Sequence, residues 1–466
     1  MAQESASNAT SPPNINPVTM VRLGLVQMGL GIMSILTLSV LNRVAIDELA
    51  IPATIVGGSL AMYQFVAPAR VWFGQLSDAY AIGPYNRTGY IWGGALAFAV
   101  LAFVGLQVVL QLNASVESAG WTFPTYAWIA LFALTFALYG LGISATATPF
   151  FALLVDVTEE SERSKVIGIV WSLLLVGIGV GAGFSSSLLE GMNDTNLQPY
   201  LNRLFTIVPA AVVAMTFVGT LGIERKYSRY WQRSRLAQRG NKVTLRDAIR
   251  ILRANRQTGF FFIYLLVLIV GLFLQQPVLE PYAGEVFGMS VSQSTRLNIF
   301  YAVGSIISLT LTGFAIVPRL GKQRTARLGC LLLTGCFALL IASGFAGAPA
   351  VLKGAVFIFG LGLGVATSGS LGLMLDLTTA ETAGIFTGMW GLAQALGQAS
   401  ATFLGGTLLD VGRLLFGGEQ LAYSFVFGIQ IFGMLVAVVL LARVDVDEFR
   451  ASASRAVERV MASDIG

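Results

Sequence analysis

Twelve stretches of about twenty apolar residues recur along the chain, each long enough to cross roughly 30 Å of hydrocarbon as a helix. They cover residues 20–41, 51–73, 88–112, 124–150, 166–189, 203–223, 259–280, 293–317, 326–346, 350–375, 383–409 and 420–442. Backbone in lipid must satisfy its own hydrogen bonds, so an all-α integral membrane fold is expected. The spans form two groups of six, 20–223 and 259–442, around a polar linker, 224–258. A polar N-terminal stretch, 1–19, carries one charge, Glu4, and lacks the basic region and cleavage site of a secretory signal; a disordered tail is expected there, and a short cytoplasmic tail over 443–466.

Composition agrees. Only 11% of the 466 residues are charged and mean hydropathy is +0.74, whereas soluble domains carry about 25% charge. Histidine is absent, which removes most zinc, haem and triad chemistry and any imidazole ligand. Cys330 and Cys336 fall in one apolar span and read as small core residues. No nucleotide-binding or catalytic motif occurs, so no enzyme and no metal site are expected.

The two groups of six look like copies. A gapless shift of 220 residues aligns YGLGISATATPFFALLVDVT (139–158) with FGLGLGVATSGSLGLMLDLT (359–378), placing Gly140, Gly142, Asp156 and Thr158 on Gly360, Gly362, Asp376 and Thr378. Such repeats place a substrate site near the midplane, between halves that rock to alternate access. Assigning Lys and Arg to alternating sides puts 24 on the side of the termini and 5 opposite, so both termini are expected in the cytoplasm. The linker holds 11 of them, and its VTLRDAIRILRANR segment reads as a capped, basic amphipathic helix lying on anionic lipid; nucleic acid is not an expected partner.

Function is expected at three places. The first is the elbow PARVWFGQLSDAYAIGPYNRTGY (68–90), where Arg70, Gly74, Asp78 and Arg87 can form a latch with Asp156, Glu159 and Arg163 after helix 4 and with Gly384 and Gly388 at the start of helix 11. Asp78 is expected to cap helix 11, and Arg70 to reach the acids after helix 4; an Arg that merely snorkels is the alternative. The second is the interior, where no span carries a central carboxylate and the polar residues are neutral: Gln27, Gln275, Gln276, Gln394 and Gln398, with Glu280 near the end of helix 7. Gln275, Gln276 and Pro277 predict a broken helix 7 whose amides either serve a ligand or bridge helices. The lack of a central carboxylate disfavours proton-driven antiport. The third is the far end of helix 1, where Asn42 and Arg43 precede Asp47 and Glu48, either as a clasp or as a solvated loop.

Gly74, Leu76 and Asp78 match the G-x-L-x-D elbow between helices 2 and 3 of the major facilitator superfamily; the basic residue expected next is Ala79, and Gly83 and Arg87 come late. More closely, VRLGLVQMGLGIMSILTLSVLNRVAIDEL, APARVWFGQLSD, TPFFALLVDVTEESERSKVIGI, LQQPVLEPYAGEVFGMS and DLTTAETAGIFTGMWGLAQA resemble the PucC and LhaA type, the bacteriochlorophyll delivery family of that superfamily. The resemblance covers nearly all of the membrane core. It implies twelve helices in two pseudo-symmetric halves, a photosynthetic membrane (thylakoid, intracytoplasmic or plasma), and delivery of (bacterio)chlorophyll to light-harvesting or photosystem subunits, or help in assembling them. No cofactor is required by it; bound chlorophyll or bacteriochlorophyll would be cargo, and membrane lipids are the other partners. A docking platform that never alternates, and an ordinary solute carrier, stay open as alternatives.

Overall fold

The computed structural model describes residues 15–193, 195–228, 256–376 and 383–444. Twelve helical segments cross the molecule: α1 (Pro17–Glu48), α2 (Ala53–Phe65 and Ala69–Ala79), α3 (Thr88–Ala119), α4 (Phe123–Val157), α5 (Glu160–Leu188), α6 (Leu197–Thr220), α7 (Arg256–Phe273 and Leu279–Glu285), α8 (Val291–Leu320), α9 (Lys322–Ala346), α10 (Pro349–Asp376), α11 (Ala383–Phe416) and α12 (Glu419–Ala442). Nine described helices are long and apolar enough to span by themselves; α2 and α7 are each interrupted. The linker, with its expected amphipathic helix, and the tail beyond Val444 lie outside the described residues.

The aligned repeat has matching packing. In the first half α4 leans on α2 at Gly140, where an added Cβ would fall 2.4 Å from the Tyr63 carbonyl oxygen, and on α3 at Gly142. In the second half α10 meets α8 at Gly360, 2.4 Å from the Tyr301 carbonyl oxygen, and α9 at Gly362. Small residues let backbones approach where lipid supplies no hydrophobic drive between helices. The halves meet along α2 with α11 and α5 with α8, the first contact closed by Gly57 and Gly406. Buried aromatics such as Phe98, Phe132, Phe136 and Tyr139 fill the interior, while Phe314, Leu414 and Phe123 face outward, as a lipid solvent allows.

Several helices run past the expected spans, and in three of them the departure moves a candidate site residue. α1 continues past residue 41 to Glu48 by winding as π-helix over Ile35–Leu41 and Val44–Glu48, so Asn42 and Arg43 are buried within a helix. α4 runs to Val157 instead of 150 and carries Asp156 inside its last turn. α7 breaks earlier than expected, after Phe273: Pro277 has no N–H to donate, Gln276 N and Val278 N bond only three residues back, and Gly405 of α11 admits the Leu274 carbonyl. Glu280 therefore lies in the first turn of a second helical piece, 5% exposed. The expectation of an interior without a carboxylate is wrong for that reason.

Candidate functional site

A cavity of about 450 Å³ lies between the halves, reached by α1, α2, α4 and α5 on one side and α7, α8, α10 and α11 on the other. Its walls are mixed. Phe151, Trp171, Tyr301 and Phe359 supply aromatic faces, while Gln27, Gln64, Gln275, Gln276 and Gln398 bring amides. Gln64 Nε2 donates to Gln398 Oε1 at 2.7 Å and so bridges α2 to α11 across the two halves. The amides of Gln275 and Gln276 make no hydrogen bond among the described residues and open onto the cavity. Gln394 does not line it.

Two charges line it as well. Glu280 accepts through Oε1 from Ser39 of α1 and Asn298 of α8, and its Oε2 is buried without a partner. Arg70 is placed by the break in α2, where Ala67, Ala69 and Arg70 donate three residues back around Pro68. It faces the cavity and not the acids after α4, correcting the expected contact; its Nε is buried and unbonded among the described residues.

Beyond the cavity, on the side away from the chain termini, the halves are tied together. Asn42 Nδ2 donates to the Pro277 carbonyl at 2.9 Å, using a backbone group near the break in α7. Arg43 is 2% exposed, pairs with Asp47, stands 3.5 Å from Glu48 and donates to the Met289 carbonyl at 3.2 Å. Within the second half, one terminal nitrogen of Arg413 on α11 donates to both oxygens of Glu285 on α7 at 2.6 Å, and Tyr423 of α12 donates to the same carboxylate at 2.8 Å. Asp410 of α11 accepts from Ala53 N at 3.1 Å and Thr54 N at 2.7 Å, capping α2. An acid capping a facing helix was expected from Asp78 toward helix 11; such a cap is present on the opposite side, running from α11 to α2.

On the side of the termini, Arg87 gathers the elbow. Its Nε donates to Asp156 Oδ2 at 3.1 Å, one terminal nitrogen to Ser77 Oγ at 2.7 Å, and the other lies 2.5 Å from Asp78 Oδ1. Burial opposes the charge, but Asp156 and Asp78 hold the guanidinium above its ordinary pKa. Gly74 faces Thr148 of α4, Glu159 precedes α5, and Arg163 is half-buried in its first turn. Gly384 and Gly388 lie on the first turns of α11, where side chains are outside the described residues; so do residues 377–382. Sequence reasoning overlooked Glu224, which accepts from Asn86 N, Arg87 N and Thr88 N at 2.6 to 3.0 Å and from Thr88 Oγ1. It sits in a short helix, Ile223–Tyr227, and caps α3. Its one signal was an acid standing alone in a basic run, GIERK.

Comparison with known proteins bears on what this arrangement belongs to. A family model described as PUCC protein matches residues 40–449. A Rhodobacter capsulatus protein named bacteriochlorophyll synthase 44.5 kDa chain is 29% identical over 403 residues, 84% of this chain and 87% of its own. Protein PucC of the same organism is 27% identical over 412 residues, 84% and 85% of the two chains. Among solved structures, the nucleoside transporter NupG superposes with a TM-score of 0.68 at 12% identity, over 91% of this chain and 99% of its own. A bacterial homologue of the iron transporter ferroportin, solved in an inward-facing state, gives 0.64 at 14% identity, covering 90% and 98%. These place the fold with the major facilitator transporters.

Proposed function

The chain belongs to the PucC protein family, and we propose that it passes (bacterio)chlorophyll to light-harvesting or photosystem chlorophyll proteins in a photosynthetic membrane. The family match across residues 40–449 carries this reading, because it spans most of the membrane core and every cavity-lining helix except α1. The donor set fits such a cargo. A chlorophyll presents an apolar ring and a hard Mg²⁺ ion, and hard ions take oxygen ligands. The cavity offers aromatic walls, the unengaged amides of Gln275 and Gln276, and a free carboxylate oxygen on Glu280. In this reading the termini are cytoplasmic, the distal ties of Asn42, Arg43 and Asp410 form one gate, and the elbow around Arg87 belongs to the other. The protein is a carrier and performs no chemistry on the pigment.

The test is an absorption spectrum of the full chain purified in mild detergent from a photosynthetic membrane, followed by pigment transfer between liposomes. Bound pigment and transfer above protein-free controls are expected. Stable co-purification with a chlorophyll protein, without pigment or flux, would replace the carrier by a docking platform. Uptake of a water-soluble solute in place of pigment would assign an ordinary carrier.

A further inference from the structure

Glu280 sits where three helices meet at the wall of the cavity. Ser39 of α1 and Asn298 of α8 both donate to its Oε1, and the Asn298 amide also reaches the Thr295 carbonyl, one turn back. One turn along α1 from Ser39, Asn42 is fastened to the Pro277 carbonyl, three residues before Glu280. These bonds gather α1, α7 and α8 at one junction, which Ser39, Glu280 and Asn298 open to the cavity. Three of its buried oxygens have no hydrogen-bond partner among the described residues: Glu280 Oε2, Asn42 Oδ1 and Thr295 Oγ1. Ser294 lies beside the carboxylate and gives its hydroxyl proton to the Val291 carbonyl, which leaves its oxygen as an acceptor.

Buried oxygens without donors are costly, and a carboxylate within a membrane needs a partner of opposite charge. Arg43 acts on Glu280, but it is paired with Asp47, stands 3.5 Å from Glu48 and donates to the Met289 carbonyl, so one guanidinium faces three carboxylates. Further along α7, Glu285 is held by Arg413. Arg70, the other charged residue lining the cavity, stands on the second piece of α2, which runs toward the elbow. A proton on Oε2 would serve one acceptor, whereas a metal ion serves several oxygens at once, and hard ions take oxygen ligands. One free carboxylate oxygen suits a single positive charge. No group of three His, Cys, Asp or Glu side chains fit for a multivalent ion occurs among the described residues.

We propose that Glu280 binds a monovalent alkali cation, Na⁺ or K⁺, with Thr295 and Ser294 of α8 and Asn42 of α1 as neutral oxygen ligands. These ligands come from both halves, so the ion acts together with the distal ties and holds that end shut. The site stands apart from the pigment reading. An ion on Glu280 leaves the amides of Gln275 and Gln276 as the oxygen ligands for a cargo, and cation binding can be found or lost without touching that reading.

The full chain in neutral detergent is heated at fixed pH and ionic strength while NaCl or KCl replaces N-methylglucamine chloride, and its unfolding midpoint is read from tryptophan fluorescence. A ligand that binds only the folded protein raises that midpoint in a saturable way, and such a rise is expected with Na⁺, K⁺ or both. Glu280→Gln keeps an acceptor for Ser39 and Asn298 but removes the charge, and it should abolish the rise. Thr295→Val removes one neutral ligand and should raise the half-saturating concentration by about two- to tenfold. A native midpoint that responds to neither cation overturns the inference. An equal rise in Glu280→Gln overturns it too, as a general effect of salt. A rise on lowering the pH without alkali cation, lost in Glu280→Gln and not enlarged by Na⁺ or K⁺, would give the carboxylate to a proton and overturn the metal assignment. Should Glu280→Gln fail to fold, an unchanged half-saturating concentration in Thr295→Val overturns the site.

Discussion

Asn42 of α1 donates its side-chain N–H to the Pro277 carbonyl of α7 at 2.9 Å, so a polar end of one half is fastened to the broken backbone of the other. The pairing follows from two irregularities. π-Winding carries α1 deep enough to bury Asn42, and the proline break leaves a carbonyl without an intrahelical donor. If the halves rock, this contact must open each cycle. Asn42→Ala removes about 0.5 to 1.5 kcal/mol from the closed form, a two- to tenfold shift in population. Spin labels at exposed positions 50 and 290 should show a longer, broader distance in the variant. An unchanged distribution would make the contact a packing detail.

The Arg413 and Glu285 pair should matter to stability. In Arg413→Ala, Glu285 loses the guanidinium nitrogen bonded to both of its oxygens and keeps only Tyr423 as donor. Charged hydrogen bonds of this kind are worth about 1.5 to 3 kcal/mol. Cys330 and Cys336 are buried in α9, with Cys336 donating to the Ala355 carbonyl, so a thiol-reactive dye reports their exposure on heating. The variant should label at a clearly lower temperature than the native chain. Labelling at the same temperature would mean that the pair contributes nothing net.

At the elbow the acids should rank by burial. Asp78 is 60% exposed on its side chain and Asp156 only 9%, although both meet Arg87. Surface pairs contribute about 0 to 1 kcal/mol, whereas removing one partner of a buried pair costs about 3 to 5. Asp156→Asn should therefore destabilise far more than Asp78→Asn. Glu224→Ala should fall between them, at about 1 to 2 kcal/mol for a lost helix cap. Thermal labelling of the same cysteines measures the order, and a more damaging Asp78→Asn would return that residue to a role in gating.

Much of this was legible in the sequence, and what was not has a common cause. Gly140 with Gly360 and Asp156 with Asp376 exposed the two halves because close helix approach leaves few residue choices. Pro277 betrayed the break in α7, but not its start at Phe273, so Glu280 was assigned to an end when it belongs to the interior. Residue order gave no warning that π-winding would bury Asn42 and Arg43. Its place near the end of helix 2 predicts that Arg70 reaches the acids after α4, but the turn at Pro68 sends it into the cavity. Glu224 and Asp410 escaped for a simpler reason, since a helix cap supplied from another helix leaves no local pattern.

Orientation can be checked without function. Lys226, just after α6, and Glu117, at the far end of α3, are both exposed and on opposite sides. With Cys330 and Cys336 replaced, a single cysteine at 226 should react with a membrane-impermeant maleimide only from the cytoplasm, and one at 117 only from the other side. The reverse pattern would invert the gates while leaving their geometry intact.

The pigment reading makes its sharpest demand on α7. Gln275 and Gln276 face the cavity with no hydrogen bond among the described residues, so truncating them breaks no contact that holds the fold. Gln64 differs, because its loss would sever the bridge to Gln398. Removing both α7 amides should thus lower bound pigment while the melting temperature stays put. A neutral hydrogen bond or weak oxygen contact contributes about 0.5 to 1.5 kcal/mol, which sets a two- to tenfold loss in affinity. Glu280→Gln separates the remaining case. It keeps an acceptor for Ser39 and Asn298 but removes the negative charge, so a carboxylate that ligands magnesium would show a larger pigment loss than the double amide variant. Pigment content unchanged in all of these, measured by absorbance per protein after purification from pigmented membranes, would put the cargo outside the cavity and leave it to a different solute.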